Sequence, residues 1–214
     1  MTIARPSKSH GPTGAAPPPP EWLGGIGLPI EVLPIGTVFH RIHQSSREPV
    51  FFGPGVGVPP TYRFDSASGR FGVLYVGLGR AGALAETLLR NPQRLMVGTA
   101  EITVRAATEL TCRRAVRVVK LYGAGLQIVG TDNAISTGPY EPCGLWSDAL
   151  WDHPDKPDGI AYQSRHDSTE LCVALFERRD MKFEIRAKTP LMDILNEVAR
   201  LLDGYGKSLS PGER

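Results

Sequence analysis

The sequence predicts an α+β fold in which strands outnumber helices. Short apolar runs rich in β-branched residues recur along the chain, and Gly and Pro separate most of them. Only two segments have a convincing helical period, and they do not alternate regularly with the strands. The 214 residues suffice for one domain, and 41% hydrophobic and 21% charged residues are typical of a globular protein.

The first 34 residues differ from the rest. They hold eight prolines, including the run Pro17-Pro18-Pro19-Pro20, and only four residues that are Lys, Arg, Asp or Glu. Such a segment buries too little apolar surface to offset the entropy of ordering it. We therefore expect a flexible leader over residues 1–34, a compact domain over 35–205 and a tail over 206–214. The leader is either a solvated segment or a docking peptide for a proline-binding partner.

Seven segments are strand candidates. The first, Thr37–Ile42, alternates with period two, as a half-buried strand does. The others are Val73–Val76, Met96–Val104, Ala115–Leu121, Gly159–Tyr162, Leu171–Phe176 and Phe183–Ala187.

Two segments have the spacing of amphipathic helices. In residues 79–90, Leu84 and Leu88 share one face. A second helix is predicted to begin at Thr189, with Pro190 in the first turn and Gly204 beyond its end. A weaker helical pattern covers Leu145–Trp151.

Charge and cysteine usage exclude several function classes. The net charge of +2 is too small for bulk capture of nucleic acid or an acidic membrane, and no apolar run approaches the ~20 residues of a membrane span. The basic stretch from Arg105 to Lys120 fits an exposed or edge strand better than a nucleic-acid site. Three separated cysteines and the histidines have no metal-ligand spacing, so we expect no metal. The N-terminus has no apolar signal region, and these features favour a cytoplasmic location.

A glycine motif after the second strand invites a nucleotide-binding interpretation. Residues 77–82 read Gly-Leu-Gly-Arg-Ala-Gly and open the helix that carries Leu84. A dinucleotide-binding turn needs this local context, but it also needs repeated strand–helix–strand units with the motif at the first strand. About 70 residues precede the motif here, so we interpret it as a strand-to-helix turn.

Four separated segments together carry a resemblance to a known family. They are Phe39-His40-Arg41-Ile42, then Ser68-Gly69-Arg70-Phe71 leading to Leu74-Tyr75-Val76, then Ala83-Leu84-Ala85-Glu86-Thr87, and finally Asp158-Gly159-Ile160-Ala161-Tyr162-Gln163-Ser164-Arg165 running on to Cys172–Glu177. In order and spacing they resemble the RES domain family, which is named for an Arg, a Glu and a Ser. The resemblance covers roughly residues 36–180.

The resemblance implies a strand-rich, split-sheet core like that of ADP-ribosyltransferases. It also implies an NAD-degrading toxin, either a phosphorylase or a glycohydrolase, that breaks the nicotinamide–ribose bond with phosphate or water as acceptor. Such toxins are typically paired with an Xre-type antitoxin that blocks the cleft. Whether the chain forms a homodimer is left open.

The residue types fit this chemistry. A carboxylate stabilises the positive charge that builds on the ribose, and Glu86 is the candidate. Guanidinium groups bind phosphate oxygens, so Arg41 and Arg70 are candidates, with Arg165 as a further anion contact. Two hydroxyl groups complete the set: Tyr75 for the nicotinamide or ribose, and Ser164 for the nicotinamide amide or an attacking phosphate.

Two departures from the family pattern affect the expected activity. The family commonly has Asn where this chain has Gly72, and Leu-Ala where it has Val76-Gly77. Two alternatives therefore stay open: an ADP-ribosyltransferase that modifies a protein target, and a non-catalytic RES-like binding module.

Overall fold

The computed structural model describes residues 14–210. Ten strands form in chain order: β1 (Ile30–Leu33), β2 (Val38–Gln44), β3 (Val73–Gly77), β4 (Met96–Gly98), β5 (Arg105–Cys112), β6 (Val116–Leu121), β7 (Gly159–Gln163), β8 (Leu171–Phe176), β9 (Phe183–Pro190) and β10 (Ser208–Ser210). Six α-helices accompany them: α1 (Arg80–Leu88), α2 (Thr99–Thr103), α3 (Ala124–Val129), α4 (Ala134–Thr137), α5 (Glu141–Asp152) and α6 (Leu195–Gly204). The strand-rich α+β class is confirmed.

Eight strands form one sheet in the order β1-β6-β7-β8-β3-β2-β5-β9, and β4 and β10 form a separate parallel pair. Within the large sheet only β6 and β7 run parallel. The sheet is nearly divided between β2 and β3, which are joined through the single pair His40 and Gly77. Their outer neighbours are paired along the whole of each strand. This division is the split of the expected core.

Helix α1 lies at the split and is firmly held there. Its buried face, with Leu84 and Leu88, packs with Ile42 of β2 and with Val198 and Leu202 of α6 in one apolar cluster. Each fully buried leucine contributes about 1.5–3 kcal/mol. A side chain on the half-buried face of α1 therefore has a rigid support at the edge of the split.

Two segments of regular structure differ from the sequence prediction. The strand expected over Met96–Val104 is instead β4 followed by the short helix α2, and the neighbouring strand β5 was not predicted. β5 is buried along most of its length. Its residues, among them Ala106 and Ala107, therefore lack the alternation of apolar and polar side chains that predicts a half-buried strand.

The start of the last helix also differs. Thr189 and Pro190 end β9, where Thr189 pairs with Ala107; a 3-10 turn follows over Leu191–Ile194 before α6 begins. The predicted cap at Thr189 is wrong because the strand pairing takes that residue. The predicted strands around β2, β3 and β6 to β9 form within one to three residues of the expected ends, and the weak pattern at 145–151 becomes α5.

The proline-rich segment packs onto the domain from Gly14 onwards, and residues 1–13 lie outside the described range. Ala16, Leu23 and Leu28 are buried in the core cluster that contains Trp146. Trp146 Nε1 donates a 2.8 Å hydrogen bond to the carbonyl oxygen of Pro17. The segment then ends in β1 at the edge of the sheet. The boundary expected at residue 35 therefore falls inside the fold, because a few apolar residues among the prolines find a surface to cover. Residues 208–210 of the expected tail likewise form β10, while 211–214 lie outside the described range.

The glycine motif forms the turn from β3 into α1, as predicted. The Glu170 carboxylate sits at this helix N-terminus and accepts a 2.9 Å hydrogen bond from the Gly82 amide. A Cβ at Gly79 or Gly82 would lie 2.8 or 2.9 Å from the same carboxylate oxygen. An internal anion thus takes the place that a phosphate would need.

Candidate functional site

A cleft of ≈ 340 Å³ opens at the split in the sheet. Strand β2 contributes Arg41, β3 contributes Tyr75, α1 contributes Glu86, and the turn after β7 contributes Arg165. Four of the six predicted site residues therefore line one cavity, although 124 residues separate the first from the last in the chain.

Glu86 is held by the turn after β7. Ser164 Oγ donates a 2.7 Å hydrogen bond to Glu86 Oε1, and the Arg165 amide donates to the same oxygen at 3.2 Å. Within residues 14–210 the other carboxylate oxygen, Oε2, accepts no hydrogen bond. Glu86 therefore presents a fixed carboxylate with one oxygen free for a ligand.

Ser164 is buried and does not line the cleft. Its Oγ also accepts hydrogen bonds from the amides of His166 and Asp167, at 3.1 and 3.3 Å. In this arrangement the Ser164 hydroxyl is directed at the Glu86 carboxylate, and a contact of Ser164 with nicotinamide or phosphate stays a prediction.

Among the described residues, Arg41 uses only one of its three guanidinium nitrogens, Nη1, as a hydrogen-bond donor. Its Nη1 donates to the carbonyl oxygens of Pro49 and Phe51, at 2.9 and 3.2 Å, and no carboxylate in the described part of the chain pairs with it. Burial lowers the pKa of the Arg41 guanidinium to about 10, with a smaller contribution from Arg47. A cation held away from water without a counter-ion favours an anionic ligand.

Tyr75 organises the wall of the cleft. Its hydroxyl donates to Asp65 Oδ1 at 2.9 Å and accepts a hydrogen bond from the Phe64 amide at 2.9 Å. Burial raises the pKa of Tyr75 well above its usual value. The hydroxyl is therefore committed to the loop that carries Tyr62 and Arg63, although the ring still borders the cleft.

Arg70 lies outside the cleft. Its guanidinium forms a two-pronged ion pair with Asp152 on the surface, at 3.1 and 2.7 Å, and Nε donates to Ser68. Hydrogen bonding to Asp152 raises the pKa of Arg70. The structure therefore does not bring Arg70 to the other candidates.

The sequence reasoning missed Arg63, which lines the cleft and is 7% exposed. Its Nη1 donates to the Gly138 carbonyl oxygen at 2.8 Å, and its guanidinium stacks 4.5 Å from the centre of the Tyr140 ring. A second Arg-Phe dipeptide, seven residues before Arg70-Phe71, is the signal that could have identified it.

The cleft is strongly cationic. Glu86 is the one carboxylate that lines it within the described residues. None of its six arginines forms an ion pair with a carboxylate of residues 14–210, whereas several arginines elsewhere do. The six are Arg41, Arg47, Arg63, Arg90, Arg105 and Arg165. This composition fits a substrate with several negative charges.

Three histidines also line the cleft, and burial lowers the pKa of each: His40, His43 and His166. They are neutral at pH 7, so the charge of the cleft comes from the arginines and Glu86. No group of three or more metal-binding side chains is close enough to hold a metal ion in the described range. No helix there is long and apolar enough to cross a membrane.

The site is thus a cationic cleft at a split in the sheet, with one carboxylate that a buried serine holds in place. The RES domain family model matches residues 38–195, and the chain therefore belongs to this family. Arg41, Glu86 and Ser164 each lie in one of the four segments that carry the sequence resemblance to the family.

Known proteins similar to the chain include a curated relative and a solved structure. A protein described as "Probable toxin y4kH", from Sinorhizobium fredii (strain NBRC 101917 / NGR234), is 33% identical over 111 residues, which are 51% of this chain and 86% of that protein. The crystal structure of the M. tuberculosis MbcT–MbcA toxin-antitoxin complex contains a chain that matches with a TM-score of 0.60 and 13% identity. The match covers 79% of this chain and 91% of that one, and at this identity it shows a shared fold.

Proposed function

We propose that the chain is an NAD-degrading toxin that cleaves the bond between nicotinamide and ribose. One observation carries the proposal: among residues 14–210, the fixed Glu86 carboxylate is the single acidic group in a cleft whose arginines have no carboxylate partners. The positively charged nicotinamide ring and its ribose suit the carboxylate, and the diphosphate suits the arginines.

The chemistry needs charge stabilisation more than proton transfer. When the C1′–N bond breaks, nicotinamide leaves as a neutral molecule with the bonding electron pair, and positive charge develops on the ribose ring. The free Oε2 of Glu86 accepts a hydrogen bond from a ribose hydroxyl and faces the developing charge. Ser164 and the Arg165 amide keep the carboxylate from rotating, so little reorganisation is needed during the reaction.

The acceptor is an oxygen nucleophile that gives an electron pair to C1′. With phosphate the product is ADP-ribose 1″-phosphate; with water it is ADP-ribose, and one proton is released. Six arginines exceed what one diphosphate needs, so the cleft composition favours phosphate.

We further propose that a cognate antitoxin protein covers the cleft. The similar structure is that of a toxin-antitoxin complex, and the similar protein is described as a probable toxin. An enzyme that consumes a central cofactor needs such control in the cell that makes it.

The test is to incubate the purified protein with NAD, with and without phosphate, and to separate the products. We expect nicotinamide and ADP-ribose 1″-phosphate to form together, and only in the sample that contains phosphate; Glu86→Gln is expected to reduce nicotinamide release by at least about 100-fold. Glu184→Gln, a change at an exposed carboxylate of β9, is the matched control.

The other outcomes identify the alternatives. ADP-ribose in both samples indicates a glycohydrolase. Label transferred from NAD to a macromolecule indicates an ADP-ribosyltransferase. Intact NAD in both samples, or an active Glu86→Gln variant, contradicts the proposal.

A further inference from the structure

A second cavity of ≈ 320 Å³ adjoins the cleft. It lies between the loop 60–67 and the first turns of α5. Tyr62, Arg63 and Tyr140 line both cavities, so these three side chains form the border between the two. Each volume is at the small end of the range of about 300–1,000 Å³ for ligand pockets, and a ligand of dinucleotide length needs both.

The adjoining cavity differs from the cleft in its chemistry. Three large side chains border it while remaining half-exposed: Tyr62 is 42% exposed, Tyr140 46% and Leu145 47%. Arg63 is the one basic residue that lines it among those the structure describes. The Asp65 carboxylate is already occupied by the amides of Thr61 and Tyr62 and by the Tyr75 hydroxyl. Flat apolar and aromatic walls of this kind suit a planar ring system and not a phosphate group.

Arg63 stands at the junction with an unused donor. Its Nη1 bonds the carbonyl oxygens of Ile135 and Gly138, and its ring contact with Tyr140 fixes the plane of the guanidinium. Its Nη2 is buried and has no hydrogen-bond partner among the described residues. An unpaired buried donor is costly; Nη2 has almost no accessible surface here, so a phosphate oxygen at the junction would satisfy it after a local shift of the guanidinium.

We propose that the adjoining cavity is the subsite for the adenine base of NAD, and that the enzyme selects the dinucleotide over nicotinamide mononucleotide by means of it. The inference rests on the proposed function. The nicotinamide ribose lies at Glu86, the diphosphate at Arg63, and the adenine between the tyrosines and Leu145. Nicotinamide mononucleotide has the reacting bond and one phosphate but nothing to fill the cavity, so it reacts with a higher KM.

The experiment compares NAD with nicotinamide mononucleotide as substrates of three proteins. The variant Leu145→Trp fills the cavity from an exposed position that does not line the cleft. The control Ile128→Trp places the same ring at a similarly exposed position on α3, which borders neither cavity. Kinetic constants are measured from nicotinamide release.

We expect the parent to prefer NAD by about tenfold or more in kcat/KM. Leu145→Trp is expected to remove most of that preference by raising KM for NAD about tenfold, with nicotinamide mononucleotide kinetics within about twofold of the parent. Ile128→Trp is expected to behave like the parent with both substrates.

The results that overturn the inference are distinct from those that overturn the proposed function. If the parent cleaves both substrates equally, or if Leu145→Trp slows both equally, the cavity is not an adenine subsite although the chain is an NAD-cleaving enzyme. If the parent cleaves neither substrate, the proposed function is wrong and the inference falls with it. A parent preference that survives Leu145→Trp also overturns the inference.

Discussion

Ser164 and Glu86, 78 residues apart in the chain, are joined by a 2.7 Å hydrogen bond from the serine hydroxyl to the carboxylate. The same serine oxygen accepts two amide hydrogen bonds from its own turn. The turn after β7 and the middle of α1 are thereby locked together across the cleft. The geometry of the carboxylate depends on this contact as much as on α1 itself.

Ser164→Ala is expected to lower kcat for NAD cleavage by about 10- to 100-fold with little change in KM. The variant leaves Glu86 Oε1 held by the longer hydrogen bond from the Arg165 amide, at 3.2 Å, and small displacements of a reacting group are costly in rate. It also leaves the amides of His166 and Asp167 without their acceptor, so we expect a stability loss of about 1–3 kcal/mol.

The matched control for this variant is Ser136→Ala. Ser136 is equally buried, but its Oγ has no partner in the part of the chain that the structure describes. Its removal is expected to leave kcat unchanged and stability equal or slightly higher. Chemical unfolding measured beside kinetics separates the two effects, and a Ser164→Ala enzyme with parental kcat would contradict the positioning role.

Substitutions of Arg63 and Arg70 are expected to have different effects, because Arg63 lines the cleft and Arg70 forms an ion pair on the surface. Arg63→Lys keeps the charge but loses the fork that bonds two carbonyls and the phosphate, so we expect KM for NAD to rise at least tenfold. Arg70→Gln removes an ion pair whose two side chains are about half exposed, and such pairs contribute about 0–1 kcal/mol. Its kinetics are expected to equal those of the parent. An Arg70→Gln enzyme with a raised KM would restore Arg70 to the site and contradict this assignment.

The sequence was sufficient for the class of fold. It also singled out Glu86 and Ser164, which the structure brings together, because Glu86 lies on α1, Ser164 directly follows β7, and both have recognisable flanking residues. It was not sufficient for Arg63. That residue lies in a loop with no periodicity, and its burial results from contacts with residues more than 70 positions away. Gly69-Arg70-Phe71 is the better local match to the family pattern, so the sequence predicted a site role for Arg70, which faces solvent. The strand β5 and the packing of residues 14–33 were missed for a related reason, since non-local partners stabilise both.

Gly72, which departs from the family pattern, is expected to be required for folding and not for the chemistry. A Cβ at this position would lie 2.6 Å from the carbonyl oxygen of Phe52, a backbone atom that cannot move aside easily. Gly72→Asn, the family residue, is therefore expected to destabilise the protein by at least about 1–3 kcal/mol. Thermal unfolding checks this, with Gly204→Ala as a control that has open space and a stability gain of up to about 1 kcal/mol. A stable Gly72→Asn variant with higher activity would show that the missing amide limits catalysis.

His43 lines the cleft and is expected to contribute to the pH dependence of the free energy of unfolding. It is buried, and its Nδ1–H donates to the Gln44 carbonyl oxygen at 2.9 Å, while Nε2 shares a 2.8 Å hydrogen bond with the Thr108 hydroxyl. A neutral ring accepts from this hydroxyl and a charged ring donates to it, so burial, and not the hydrogen bonds, favours the neutral form. Burial lowers the pKa of His43 below its usual value of about 6.5, as it does for His40 and His166.

Stability is therefore expected to be constant above about pH 7 and to fall as the pH drops from 6.5 towards 5.5. In that window the unfolded chain binds protons at these histidines more readily than the folded one, so acid favours unfolding, by up to about 1.4 kcal/mol per pH unit for each histidine. Urea unfolding between pH 5.5 and 8 measures the slope. His43→Gln keeps an acceptor for Thr108 but does not titrate, so its slope is expected to be smaller by the share of one histidine. An unchanged slope in this variant would mean that His43 binds its proton equally in both states, in conflict with the lowering of its pKa by burial.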